Sequence, residues 1–444
     1  MRIKKTVASI LIFALCFMLC GCDFFTVDTE NLLSPPVLSG DLAAIKEIID
    51  KTAPEGYVLK YPSSGERRSA VIMEDIDSDG VLEAFAFYST ADSETVFMHI
   101  DLIKNLGGKW ELAAGQTVPA SGIDRIEFCD LDGDGKKEIL AGCELYGKSA
   151  KELGVYSISG AEFVTRFTKP YTVFVCCDLD ENGRNEVFVQ LLNTADLLNS
   201  ASLCTLTEEG VSQISCAMDG GAKTVSEPYL SVLSSGEPAV YIDEIKGIGA
   251  VTEVISFSKG ALVNKLLDTT AAVPVNSATL RASTLSVTDI NGDGIPEIPV
   301  ASELPSAANE TNELLYYTNW CTFNGELLTV KQVTIMNSVD GYFITVPQKW
   351  VGRISVFKDT DARVRNFYEY DSELGAVGKK LASFKAVDED DYKKSDYKNY
   401  TELSRSGGLV YLGAESSEGS ELSVTGEEIK NMFTLLNDNT AKRR

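Results

Sequence analysis

A single histidine, His99, serves all 444 residues, and that scarcity removes whole classes of chemistry. No zinc site with two or more imidazoles can be built, and any serine–histidine–acid relay would have to run through His99. His99 stands in an alternating, strand-like stretch from Val96 to Ile100, and no Gly-x-Ser-x-Gly elbow occurs anywhere. Ten cysteines are present, but Cys16, Cys20 and Cys22 crowd the N-terminus and the other seven form no Cys-x-x-Cys pair. Neither a zinc ribbon nor a dithiol redox site is indicated, although a pair such as Cys204 and Cys216 stays open to bridging. Basic residues are also short: 40 Lys and Arg face 65 Asp and Glu, for a net charge of −25. Such a surface repels nucleic acid and anionic lipid. Beyond the N-terminus no apolar run is long enough to span a bilayer.

Two further signals are weak. Gly142, Gly147, Lys148 and Ser149 fit the phosphate-loop pattern, but that loop must open a helix, whereas Gly154 and the strand-like Val155 to Ile158 follow. No nucleotide is expected. Trp110, Trp320 and Trp350 read as packing residues near turns, with Trp320 beside Tyr316 and Tyr317 the candidate platform for a sugar.

The N-terminus reads as an export signal. Arg2, Lys4 and Lys5 precede an apolar run from Val7 to Leu19. Leu19, Cys20, Gly21 and Cys22 resemble the lipobox of bacterial lipoproteins, which implies a signal peptide over 1–21 and lipidation of Cys22. Residues 22–38, with Pro35 and Pro36, then read as a tether from the membrane. The expected location is the extracytoplasmic face of a bacterial cell membrane. Loss of Arg2, Lys4 and Lys5 with the signal takes the charge from −25 to about −28.

What the chain does have is one phrase written four times. Asp75, Asp77, Asp79, Gly80 and Glu83 occupy positions one, three, five, six and nine of the first copy. Asp130, Asp132, Asp134, Gly135 and Glu138 make the second, and Asp178, Asp180, Asn182, Gly183 and Glu186 the third. Asp289, Asn291, Asp293, Gly294 and Glu297 make the fourth. Oxygen ligands at one, three and five of a tight loop converge, glycine at six permits the sharp turn, and a ninth-position glutamate adds two oxygens. That is the hard-oxygen cage suited to Ca²⁺. Asp, Asn and Gly also make plain β-turns, but the repetition of the whole set favours metal. Up to four structural Ca²⁺ ions are expected. Asn182 and Asn291 each keep an oxygen and lose a charge, so their loops should bind more weakly.

The flanks are strands, not helices: Ala70 to Met73, Arg125 to Phe128, Val173 to Val175 and Leu285 to Val287 precede the loops, and β-branched and aromatic runs follow. This strand-embedded Asp-x-Asp-x-Asp-Gly-x-x-Glu phrase resembles the FG-GAP/VCBS-type repeat of integrin-like β-propellers, over about residues 55 to 330. The resemblance implies a mainly β fold with four-stranded blades, and a family that hosts many binding functions. Loop starts are spaced by 55, 48 and 111 residues. The doubled last interval points to a unit that has lost its acids, at Tyr229 to Leu233, Ser234 to Glu237 and Pro238 to Ile242. Five blades are expected, with room for a sixth at the faint echo Lys358, Asp359 and Asp361.

A helix from Ser39 to Lys51, capped by Ser39 or Asp41, should turn Leu42, Ile45, Ile48 and Ile49 toward the propeller rim. After about residue 335 the pattern changes to strands, an acidic helix within Asp388 to Tyr400, and a last helix from Thr425 with Glu428 completing a capping box. Ile429, Met432, Phe433 and Leu436 are its expected apolar face. The expected domains are therefore a propeller with its N-terminal helix over 39–334 and a C-terminal α+β module over 335–444. The function expected is a lipid-anchored binding or scaffolding protein recognising a protein or cell-envelope glycan, with no catalytic residue assigned. A polysaccharide lyase or hydrolase on the same scaffold is the alternative, and a plain spacer a third.

Overall fold

A strand with apolar residues on both faces needs a cover on each side, and this chain supplies covers by stacking sheet on sheet. The computed structural model describes residues 40–436 apart from 92–94, 146–150, 194, 208, 306–314, 361 and 417–418. The export signal, Cys22 and the tether lie outside the described residues. Six antiparallel sheets of four or five strands follow one another, nearly all built from strands adjacent in sequence.

Glu83–Ala91, Glu138–Leu145, Glu186–Leu191 and Pro238–Lys246 are the second-row strands of the first four sheets, and each is buried along most of its length. Their alternation assigns the two faces. Ile139 and Ala141 pack toward the first sheet while Leu140 faces the third. Val187 and Val189 face the second sheet, and Phe188 the fourth. Val240 and Ile242 face the third, and Ala239 and Tyr241 the fifth. Each fully buried side chain of this size contributes roughly 1.5–3 kcal/mol, so the inter-sheet seams hold the array together. A one-residue register slip would turn every one of these faces inside out.

The two end sheets are finished differently. Helix α1, Gly40–Thr52, lays Ile45 and Ile49 against Ala84, Ala86, Tyr88 and Ile103 of the first sheet. The helix thus covers a sheet face, not a rim. Asp41 is no cap; its Oδ1 accepts from Trp110 Nε1 at 3.0 Å and ties the helix to that sheet. On the sixth sheet, Val387, Val410 and Leu412 are covered by Tyr392, Tyr397 and Tyr400. Among the described residues no apolar cluster joins the sixth sheet to the first.

The six sheets outnumber the five units read from the repeats. The unit without acids is the fourth sheet, where Tyr229–Val232 pairs with Pro238–Lys246 around the turn at Ser234 to Glu237. The sixth sheet begins with Ile354–Asp359 and Val364–Asp371, the hairpin that holds the faint echo. Position 361 lies outside the described residues.

The expected boundary at 335 falls inside Leu328–Asn337, a strand of the fifth sheet. The last helix, α2 at Gly426–Met432, has its full capping box: Thr425 Oγ1 accepts from Glu428 N, and Glu428 returns the bond. It ends at Met432, four residues short of Leu436, the last residue of the apolar face expected of it. Phe433–Leu435 is a strand, paired with Tyr342, Phe343 and Ile344 in the fifth sheet. Residues past 335 therefore share a core with those before it. The acidic stretch after Asp388 forms only one helical turn, Glu389–Tyr392. Cys204 stands opposite Gln213 and Cys216 opposite Ala201, so those two cysteines are out of register, and all seven described cysteines are free thiols.

Candidate metal centres

Each acid loop closes the first hairpin of its sheet in the same register. Glu74 pairs with Glu83, Cys129 with Glu138, Cys177 with Glu186, and Thr288 with Glu297, so position nine always faces the residue before position one. Within that frame the carboxylates satisfy the loop's own backbone. Asp75 accepts from the N–H groups of Asp79 and Gly80 at 3.1 and 3.0 Å, and Asp178 from those of Asn182 and Gly183 at 3.0 Å each. Asp130 and Asp289 accept from Gly135 and Gly294 in the same way. The ninth-position glutamates reach back to the N–H of position two: Glu83 to Ile76, Glu138 to Leu131, Glu186 to Leu179 and Glu297 to Ile290, at 2.9–3.1 Å. Position one thus engages both of its oxygens with the backbone and position nine one of its two, and the remaining lone pairs are left to converge inside the loop.

Convergence is what the first three loops show. Carboxylate oxygens of Asp75, Asp77 and Glu83 lie within 4.8 Å of one another, as do those of Asp130, Asp132 and Glu138 and of Asp178, Asp180 and Glu186. Positions one, three and nine supply them. Position five, expected as a fourth ligand, is turned elsewhere: Asp79, Asp134, Asn182 and Asp293 accept from the N–H two residues on, at 2.7–2.9 Å. The fourth loop closes on itself. Asn291 donates Nδ2 to Asp293 and Glu297 at 3.0 and 2.9 Å while its Oδ1 accepts from Asp293 N at 2.8 Å.

The donors fit a hard divalent cation. They are all oxygen, three per loop are ionisable acids, and Asp77 Oδ1 is buried without a hydrogen-bond partner. Burial drives the position-nine carboxyls upward: Glu83 and Glu138 are raised, and Glu186 and Glu297 are pushed up to about 7, with the neighbouring aspartates adding to it. A cation in the loop would reverse that preference by stabilising the charged form.

Three features of these loops escape the nine-residue phrase. Position four is left-handed in every copy: Ser78 at φ 59° and Glu181 at φ 58°, and Gly133 and Gly292 at φ 76° and 80°. The glycines at two of the four positions were the available signal. Position two is an apolar plug, with Ile76, Leu131 and Leu179 almost fully buried. The third feature is cationic. Lys104, from the strand Val96–Asn105, places Nζ 2.7 Å from Asp77 and 4.0 Å from Glu83. Arg166 approaches Asp132 at 3.3 Å. No ion pair of this kind reaches Asp178 or Asp180 among the described residues.

Neighbouring loops touch. Lys137 N donates to Ile76 O at 2.8 Å and Ser78 Oγ to Gly135 O at 2.6 Å, joining the first loop to the second. Beside them opens a cleft of about 570 Å³ lined by Asp77, Lys104, Asp132, Lys136, Lys137 and Arg166.

The other sequence candidates take structural roles. His99 stacks on Tyr88 and bonds Thr90 and Thr117, with no acid on its ring among the described residues. Trp320 is buried and donates to Thr334, Trp350 is buried and donates to Leu422 O, and Trp110 bonds Asp41. Gly142 lies in the strand Glu138–Leu145, and the strand Lys151–Ser159 pairs back on it; positions 146–150 lie outside the described residues.

No protein-family model matches the chain, and no curated protein matches it. Solved structures do align. The exotype rhamnogalacturonan lyase YesX aligns over 73% of this chain and 65% of its own length, at 13% identity and a TM-score of 0.28. The Bacillus licheniformis rhamnogalacturonan lyase PL11 aligns over 83% of this chain and 93% of its own, at 10% identity and a TM-score of 0.30. A protein from Lactobacillus plantarum aligns over 71% of this chain and 84% of its own, at 11% and 0.29. At these scores the alignments carry no argument about what this chain does.

Proposed function

We infer that the chain is a lipid-anchored, extracytoplasmic binding or scaffolding protein whose stacked sheets are pinned at their first hairpins by structural Ca²⁺. The observation that carries this reading is the threefold recurrence of one frame: equal register, equal backbone bonds, and acids of positions one, three and nine converging. The residues that would hold the ions are Asp75, Asp77 and Glu83; Asp130, Asp132 and Glu138; and Asp178, Asp180 and Glu186. Asp289, Asn291, Asp293 and Glu297 form the weakest candidate. A bound divalent ion supplies charge neutralisation at a closed hairpin, a stabilising task that needs no open coordination position. Cys22 would carry the lipid and residues 22–38 the tether.

The deciding measurement is a thermal melt of the mature chain in Ca²⁺ and in chelator. A midpoint that rises with Ca²⁺ supports the reading, and coincident midpoints sink it. A glycan array and capture from cell-envelope fractions then address the partner, protein or glycan, and Cys22→Ser should release the protein from the membrane fraction.

The enzyme reading keeps one observation in its favour, the cleft beside the first two loops in which cations and acids mingle. A polysaccharide lyase working there would generate unsaturated uronate products from an acidic glycan. Ultraviolet absorbance that grows with time on pectic or uronate-rich polysaccharides would establish that reading, and its absence would rule out the lyase.

A further inference from the structure

The fourth sheet has no acid loop, yet it holds the most deeply buried acids away from the loops. Glu244 and Glu253, and Asp219 in the segment that enters this sheet, are all 0% exposed. Register explains why the two glutamates meet. Ile242 stands opposite Glu253, so Ile242, Glu244 and Glu253 project from one face of the sheet, the face packed on the third sheet. Across that seam comes Gln190, also 0% exposed, whose Nε2 donates to Glu244 Oε1 at 2.5 Å.

Asp219 is fully answered. It accepts from Lys246 Nζ at 2.7 Å, from Asn276 N at 2.7 Å and from Gly221 N at 2.7 Å. Glu253 accepts from Asp219 N at 3.1 Å and from Asn264 Nδ2 at 2.6 Å. What remains is one-sided: Glu244 Oε2, Gln190 Oε1 and Asn264 Oδ1 are buried and have no hydrogen-bond partner. All three are acceptors. With Lys246 committed to Asp219, neither Glu244 nor Glu253 has an ion-pair partner among the described residues. Buried carboxylates without counter-charge cost several kcal/mol each, and leftover acceptors add to the penalty. A water can donate to two acceptors but brings no charge; a cation meets both needs at once.

We propose that a divalent, oxygen-preferring cation of the Ca²⁺ type binds between the third and fourth sheets, held by Glu244 and Glu253 with the amide oxygens of Gln190 and Asn264. Two carboxylates balance its charge, and amide carbonyls complete an irregular oxygen shell of the kind Ca²⁺ accepts. The site lies in the sheet whose own hairpin carries no acid cluster. It does not depend on the acid loops holding ions.

The test counts ions. The mature chain and its Glu244→Gln/Glu253→Gln variant are stripped with chelator and dialysed to equilibrium against Ca²⁺, and bound metal is measured by elemental analysis. The variant is expected to bind one equivalent fewer than the natural chain, whatever number the loops hold. Asp178→Asn/Asp180→Asn in the third loop should remove a different equivalent, and the combined variant should lose both, which separates this site from the loops. Equal counts for the natural chain and the Glu244/Glu253 variant would overturn the proposal and assign the cluster to protons or water. Should that double variant fail to fold, Gln190→Met removes one amide oxygen alone. It is expected to weaken one step of the isotherm about tenfold, and an unchanged isotherm overturns the proposal equally.

Discussion

The first and third acid loops share a backbone and differ in their electrostatics. In both, position one gathers the N–H groups of positions five and six, position nine reaches the N–H of position two, and three carboxylates converge. Around the first, Lys104 already sits against Asp77 and near Glu83. Among the described residues no such cation stands around the third, and the Glu186 carboxyl is pushed up to about 7, chiefly by burial. The frame is thus set locally, by nine residues, while the charge balance within it is set by whatever strand the sheet brings alongside. A loop with a tethered ammonium tolerates the absence of metal; a loop without one pays in proton uptake.

The largest effect should come from removing divalent ions altogether. If three loops are filled near a hundredfold above their dissociation constants, each contributes about 2.7 kcal/mol, and chelation should lower the melting midpoint by on the order of 10 °C. Calorimetry in Ca²⁺ and in chelator measures it. Next is pH. The Glu186 and Glu297 carboxyls titrate near 7 in the folded chain against 4.5 in the unfolded one. The folded state therefore holds more protons between those values, and without metal its stability falls as pH rises from about 4.5 toward 7. In chelator the midpoint should be higher at pH 5 than at pH 7.5. In Ca²⁺ the trend should reverse, because the ion competes with the protons. A chelated sample most stable at pH 7.5 would break the contrast between loops.

A sharper test moves the cation. Lys104→Met removes the ammonium beside Asp77 and should raise first-loop affinity about tenfold, equivalent to about 1.4 kcal/mol, while leaving the third loop unchanged. Calcium isotherms of Lys104→Met in a background that carries both Asp130→Asn/Asp132→Asn and Asp178→Asn/Asp180→Asn leave the first as the one intact converging loop, and an unshifted constant would show that Lys104 does not compete. The smallest effect concerns position four. Ser78 and Glu181 hold left-handed backbone where the second and fourth loops use glycine. Ser78→Gly and Glu181→Gly should each stabilise by up to about 1 kcal/mol, read from urea midpoints. In contrast, Gly135→Ala, at φ 86°, should destabilise by about 1–2 kcal/mol.

The acid loops were legible because every bond that shapes them lies within nine residues. Lys104 and Arg166 were not, because they arrive 27 and 34 residues after the aspartates they meet and only the pairing of their strands puts them there. The mainly β class and most strands past residue 335 followed from β-branched and aromatic runs. Two elements misled. Phe433 and Leu436 continue the spacing of α2, yet the open edge at Tyr342–Thr345 captures Phe433–Leu435 as a strand. Tyr392, Tyr397 and Tyr400 sit in a stretch whose charges suggested a helix, but an uncovered sheet face draws their rings down onto Val387 and Val410. In each case a distant sheet outweighed local preference.

Phe433–Leu435 also carries a consequence for how the molecule is made. The first four sheets can each zip from neighbouring hairpins as the chain emerges, whereas the fifth waits for a partner that is synthesised more than a hundred residues after its opening strand. Until that latecomer arrives, the ladder at Tyr342–Thr345 offers bare amides to any passing polypeptide. Clipping the last turn of chain should therefore provoke self-association sooner than outright collapse.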